Sequence, residues 1–174
     1  MINQWIFVGL AKVSLHPKAR FAFNAAMNDK TILCAIDFSD SSLQALKWTV
    51  DIAQLTSSPI TVLFCYRLIA TEGNKETLDL KKDIESDAIK RFGEIERKLI
   101  NGHAISYQFV AEVGFYSSRI ETFIRKGSVG LLVMGNSIIK NFDEYKNLSF
   151  EQFLKNTKVP VVIVPEGAKG FVPV

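Results

Sequence analysis

Asp37 is the residue best placed to do chemistry. It ends the apolar run TILCAI and opens the segment Asp37-Phe38-Ser39-Asp40-Ser41-Ser42, so acids and hydroxyls follow directly on a strand-like stretch. A carboxylate there can accept hydrogen bonds from a ribose or base, or join a cation site. The serines can cap a helix whose first N–H groups attract anions. The plainer alternative is a turn at Asp37 with Ser39 or Asp40 as the helix cap, a common strand-to-helix joint. A second stretch, VMGNSIIKNFDEYKNLS at 133–149, leaves a strand through Gly135 and reaches Ser149, where another helix can begin. It has the outline of a phosphate-binding loop, or of a mere connection. Glycines in such loops permit positive φ and let backbone N–H groups approach phosphate oxygens. Here the chain has Ile138, Ile139 and Leu148 instead. A β-branched Ile138 is costly at positive φ and would turn an apolar group toward an anion. Lys140 and Lys146 bring charge that Asp143 and Glu144 offset.

Enzyme templates fail in turn. No G-x-x-x-x-G-K-[ST], G-x-G-x-x-G or G-x-S-x-G occurs. A nucleophilic serine or cysteine needs a base, and His103 follows Gly102 at the wrong end of the sheet for the presumed ligand edge. A phosphorelay receiver would want an aspartate ending the third strand and a lysine ending the fifth, where this chain has AEVG and VPE. Catalysis is not expected. Cys34 and Cys65 fall in apolar runs and read as reduced core residues, and His16 and His103 lack partners, so no metal site is expected.

These residues must be positioned by a chain of 174 residues, 48% hydrophobic and 22% charged, enough for one substantial core. A net charge of +3, with the signs interspersed, gives no reason to expect nucleic acid as a partner. No apolar run approaches the ~18 residues of a membrane span. Continuous apolar runs predict strands at 31–36, 60–66, 130–135 and 159–165, and a more alternating run at 105–113 suits a strand nearer a sheet edge. Between them lie helical periods, the longest with Ile84, Ala88, Phe92, Ile95 and Leu99 on one face and Asn101-Gly102 at its end. Five strands alternating with helices make a single doubly wound α/β domain, its sheet mostly parallel with helices on both faces. Ligands in such sheets sit beyond the carboxyl ends of the strands, which points to Asp37–Ser42, Tyr66–Leu68, Val113–Phe115 and Met134–Ser149. Residues 1–26 hold no Asp or Glu and begin with an apolar run, WIFVGLA. They read as a weak secretory signal, an organellar presequence, or an extension ahead of a start at Met27. All three readings put residues 1–29 outside the core, with the domain at 30–166 and a tail at 167–174. A chain beginning at Met27 is accordingly expected to be as stable as the whole.

The order KTILCAIDFSDSSLQALKWTVDIA, then ITVLFCY, then LLVMGNS…LS, then VPVVIVP resembles the universal stress protein family over about residues 30–166. That resemblance implies strand order 3-2-1-4-5, dimerisation through the last strand, a cytoplasmic location and a role in stress response. ATP-binding members carry Gly, two residues, Gly, nine residues, Gly, then Ser or Thr. In this chain those places hold Gly135, Ile138, Leu148 and Ser149, so the ends match and the middle does not. Base, ribose and phosphate contacts would correspond to Asp37, Phe38 and Ser39, the Tyr66 backbone, Met134, Gly135 and Asn136, and Ser149. The expectation is a non-catalytic binding and regulatory domain with a degenerate phosphate loop and weak or absent ATP binding. The alternative is an adenine-nucleotide switch that keeps a base pocket at Asp37. The flat apolar strand VPVVIVP predicts a homodimer through antiparallel pairing at Val161–Val164.

Overall fold

A computed structural model describes residues 6–8, 27, 29–68, 75–140, 142 and 149–168, with 6–8 and 75–76 through their backbone alone. The chain runs β1 (Ile6–Val8), β2 (Thr31–Ile36), α1 (Asp40–Thr56), β3 (Ile60–Tyr66), α2 (Lys75–Leu99), β4 (Tyr107–Val113), α3 (Tyr116–Arg125), β5 (Val129–Gly135), α4 (Asn136–Lys140), α5 (Phe150–Asn156) and β6 (Val161–Val164). The strands form one sheet in the order β1-β6-β5-β2-β3-β4. Every pairing is parallel. Strands β2 to β6, counted along the chain, stand in the order 3-2-1-4-5, as the resemblance implied.

Period-two alternation sends the side chains of each central strand to two cores. Ile32, Cys34 and Ile36 face a cluster with Ala45, Leu46, Val50 and Ala53 of α1 and Phe92 of α2. Leu33 and Ala35 face a second cluster with Tyr116 and Ile120 of α3, Ile138 of α4 and Phe153 of α5. Helices therefore cover both faces, which is why the central strands are apolar on both. Burying one side chain such as Leu46 stabilises the fold by roughly 1.5–3 kcal/mol. Strand β4, the alternating one, lies at the sheet edge, and none of its residues is fully buried. Cys34 and Cys65 are free, buried thiols, and burial pushes both up to about 12.

The sheet extends one strand beyond the five read from sequence, because Ile6–Val8 pair with Val161–Ile163. Met27 is also core, 2% exposed, and its Sδ lies 3.0 Å from where a Cβ on Gly130 would be. Residues 6–8 thus join the sheet through their backbone and Met27 packs in the core, both within the segment 1–29 that the sequence reading set ahead of the domain. Three apolar residues carry too little periodicity to mark a strand. What makes β1 a strand is the open edge of β6.

Candidate functional site

The strand order reverses between β2 and β5. From β2 the chain proceeds outward to β3 and β4, and α3 then carries it back to β5 and on to β6. A crevice opens at such a reversal, beyond the carboxyl ends of the two central strands. Asp37–Ser42 after β2 and Gly135–Ser137 after β5 form its two lips.

Ser39 is the cap of α1. Its backbone is extended and its hydroxyl accepts from the Ser42 N–H at 3.3 Å. The Asp37 carboxylate accepts from the Ser39 N–H at 3.0 Å and from the Ser39 hydroxyl at 2.5 Å. The Asp37 N–H donates to the Ser42 hydroxyl at 3.2 Å. From the other lip, the Ser137 oxygen lies 2.7 Å from that of Ser39 and 2.8 Å from that of Ser41. The Ser137 N–H donates to the Ser41 hydroxyl at 3.1 Å. Each hydroxyl has one hydrogen to give, so with Ser39 donating to the carboxylate the chain runs Ser41 to Ser137 to Ser39 to Asp37. Burial pushes the Asp37 carboxyl up, but the Ser39 hydroxyl and N–H, with Ser42 and Ser137, outweigh it and hold the group below its ordinary value.

The lips also touch through backbone. A Cβ on Gly135 would lie 2.5 Å from the Ser41 carbonyl carbon and oxygen and 2.7 Å from the Ser42 nitrogen. Gly135 is thus required by the close approach of α1, and its φ lies outside the left-handed region. Helix α4 then starts at once, at Asn136. Ile138 is helical and fully buried, packed with Met134, Phe142 and Phe153. The expectation that it strains a positive-φ loop and faces an anion is corrected by this placement. Phe142, Phe150 and Phe153 pack together at centroid distances of 4.9–6.1 Å, Phe142 edge-on to Phe150. Leu148, Tyr145, Lys146, Asp143 and Glu144 lie outside the described residues.

The remaining sequence-predicted positions are scattered. Met134 is fully buried in the second core. Asn136 is half-buried at the start of α4. The Tyr66 carbonyl accepts the Gly114 N–H at 2.8 Å, and its hydroxyl donates to Glu85 at 2.7 Å. Ser149 caps α5 in a reciprocal pair with Gln152, its hydroxyl accepting from the Gln152 N–H at 3.2 Å. Phe38 has φ of 63°, rare for a bulky residue, and leans away from β5 onto Phe64 and Phe109, with the Arg91 guanidinium 4.3 Å above its ring. A cleft of about 280 Å³ opens there, between Phe38, Phe64, Ile84 and Ala88, with Asp83, Asp87 and Arg91 also lining it.

Ser41 and Ser137 lie within segments flagged from sequence without an individual role, and Tyr116 lies outside them. Tyr116 is buried, and its hydroxyl donates to the Ile36 carbonyl at 2.5 Å, just ahead of Asp37. Burial raises its pKa. The nearby Arg119 is folded back, its Nε donating to the Val113 carbonyl at 2.7 Å. Among the described residues no group of three or more His, Cys, Asp or Glu side chains gathers to hold a metal, and no helix is long and apolar enough to cross a membrane.

A doubly wound sheet with two lips meeting at its strand reversal defines a class of crevice-bearing α/β domains. Within that class the chain belongs to the universal stress protein family, whose profile matches residues 29–165. Its fold is similar to that of the hypothetical protein MJ0577, at TM-score 0.62 and 20% identity over 81% of this chain and 99% of that one. It is also similar to the universal stress protein UspA from Lactobacillus plantarum, at TM-score 0.61 and 17% identity over 78% and 97%. A universal stress protein in complex with cAMP gives TM-score 0.56 and 20% identity over 78% and 96%. No curated protein sequence matches the chain.

Proposed function

We propose that this universal stress protein is a non-catalytic binding and regulatory domain of the stress response whose nucleotide crevice is closed from within, so that ATP binds weakly or not at all. The observation that carries this reading is the chain of hydroxyls from Ser41 through Ser137 and Ser39 to Asp37. The Ser39 and Ser41 hydroxyls already have Ser137 as a partner across the crevice, and the Asp37 carboxylate has Ser39 as a partner on its own lip. A ligand would have to replace those bonds, and an exchange of one hydrogen bond for another yields little net affinity. Among the described residues α4 starts at once after β5 and Ile138 is buried, and the sequence has no glycine between Gly135 and Gly167. Tyr116 adds a buried phenol bonded to the Ile36 carbonyl at the end of β2. The Ser39 hydroxyl, beside the Asp37 carboxylate, serves as the cap of α1 and accepts the Ser42 N–H. The reducing cytoplasm is the compartment that suits two buried thiols.

The cAMP-bound neighbour favours a second reading, an adenine-nucleotide switch that keeps its base contacts at Asp37. Asp37 is half-buried, so a ribose would have to displace Ser39 from its carboxylate.

Incubation with magnesium and ATP, followed by chromatography of the nucleotide, tests the non-catalytic part. The expected result is no ADP above the protein-free blank. Turnover that disappears in Asp37→Ala would contradict the proposal.

A further inference from the structure

We infer that the cleft between α2 and the rings of Phe38 and Phe64 is a binding site for a small organic cation, an aromatic or alkyl body carrying one ammonium. The cleft is separate from the crevice. Phe38 and Phe64 pack on the first core with Phe92, whereas Tyr116 and Ile138 belong to the second. Its walls are apolar, with the Phe38 and Phe64 rings at a centroid distance of 4.9 Å on the sheet side and Ile84 and Ala88 on the helix side. A volume of about 280 Å³ has room for one substituted aromatic ring, since a cavity of about 150 Å³ already holds benzene.

The mouth is charged, and its balance is negative. Asp83, Asp87 and Arg91 follow at four-residue spacing, so they form one stripe along α2, with Ile84 and Ala88 in the stripe beside it. Two carboxylates against one guanidinium leave a single negative charge in excess. Other acids of that stretch are taken, Asp79 by Lys82 at 4.0 Å, and Glu85 by Lys81 at 3.8 Å and by the Tyr66 hydroxyl at 2.7 Å. Asp83 and Asp87 make no ion pair among the described residues. Arg91, one turn beyond Asp87, lies over the Phe38 ring, 4.3 Å from its centroid. The ring faces of the cleft thus attract positive charge as its carboxylates do. A divalent metal ion does not fit, because it wants six or more oxygen ligands and the apolar walls offer none. An organic cation fits both parts. Its body leaves water for the rings, and its ammonium reaches the carboxylates at the mouth.

The test titrates the full chain with phenethylammonium, followed by two-dimensional amide NMR. A Kd of about 1 mM is expected for so small a ligand, with the shifted peaks at residues 83–91 and at Phe38 and Phe64. The neutral phenethyl alcohol should bind about fivefold more weakly, the contribution of two exposed ion pairs, and phenylacetate should not bind. Asp83→Asn with Asp87→Asn should weaken the ammonium about fivefold and leave the alcohol unchanged, and Arg91→Ala, which removes the competing charge, should tighten the ammonium about twofold. Both aspartates are exposed on the helix, so the double variant keeps the fold. The three probes on wild type need no variant at all. Equal affinity for the ammonium and the alcohol overturns the inference, as does a preference for phenylacetate. Absence of any shift at about 20 mM ammonium overturns it too, and so do shifts confined to Ser39–Ser42 and Gly135–Ser137.

Discussion

Replacing Gly135 with alanine should cost far more than adding one methyl to a surface. The new Cβ would sit 2.5 Å from two backbone atoms of Ser41 and 2.7 Å from the Ser42 nitrogen, where ordinary contact begins at 3.4 Å. None of these atoms is the end of a flexible side chain, so α1 and β5 must part by close to an ångström. Forcing extra volume into a packed joint costs typically ~1–3 kcal/mol. The same movement stretches the two bonds between Ser41 and Ser137, at 2.8 and 3.1 Å, each worth about 1 kcal/mol. A destabilisation of about 3 kcal/mol follows, a fall of roughly 6–12 °C in Tm for a chain of this size. Gly93 supplies the control. It lies inside α2 with nothing within 4 Å of its would-be Cβ, so Gly93→Ala should stabilise by ~0.5–1 kcal/mol through helix propensity. Urea unfolding at constant m-value compares the three chains. If Gly135→Ala falls within ~0.5 kcal/mol of wild type, the lips do not meet as described.

Ile138→Gly should cost ~3–5 kcal/mol in urea unfolding and create no ATP site, because Ile138 is fully buried core and not a loop residue facing an anion. Micromolar ATP binding by that variant would contradict its placement. Tyr116→Phe leaves the Ile36 carbonyl without its donor and should cost ~1–2 kcal/mol, and an unchanged urea midpoint would argue against the bond. The lowered Asp37 pKa contributes stability that is fully present above the unfolded carboxyl value and is lost as pH falls through the folded one. The stability difference between wild type and Asp37→Asn should therefore shrink on acidification below about pH 4, and a difference that grows there would refute the assignment. Cys34 and Cys65, buried thiols pushed up to about 12, should resist a disulfide reagent at pH 8 until urea unfolds the chain. Reaction of the folded protein within minutes would count against the packing of both cores.

The sheet was legible because its signals are local and repeated. Apolar runs gave β2, β3, β5 and β6, the alternation in YQFVAEV marked β4 as an edge, and Ser39 and Ser149 announced the helices they cap. Strand β1 was not legible, since three apolar residues say nothing until β6 presents an edge. Gly135 was noticed for the wrong reason. A sequence cannot tell a glycine needed for its dihedral from one needed for space, and here the space is taken by the backbone of Ser41 and Ser42. Ile138 was misplaced for a related reason, because a loop template imposed a positive φ where the chain simply begins a helix. The pairing of Ser41 with Ser137, and the place of Tyr116, were not legible because their partners lie 80 or more residues away along the chain. The run GFYSS offered a tyrosine after a strand, but nothing local shows that its hydroxyl ends on the Ile36 carbonyl.

The central claim, that the crevice is filled by the protein's own hydroxyls, is tested most directly by calorimetric titration of nucleotide-free protein with ATP, ADP, AMP and adenosine in magnesium. If the phosphate cradle is lost as proposed, lengthening the phosphate chain should add nothing. The four ligands should bind within a few-fold of one another, all weakly, and Asp37→Ala should weaken every one of them alike. Micromolar binding of ATP with none of adenosine would contradict the account, because ~2 kcal/mol or more would then come from phosphate contacts that Ser39, Ser41 and Ser137 have been described as closing off.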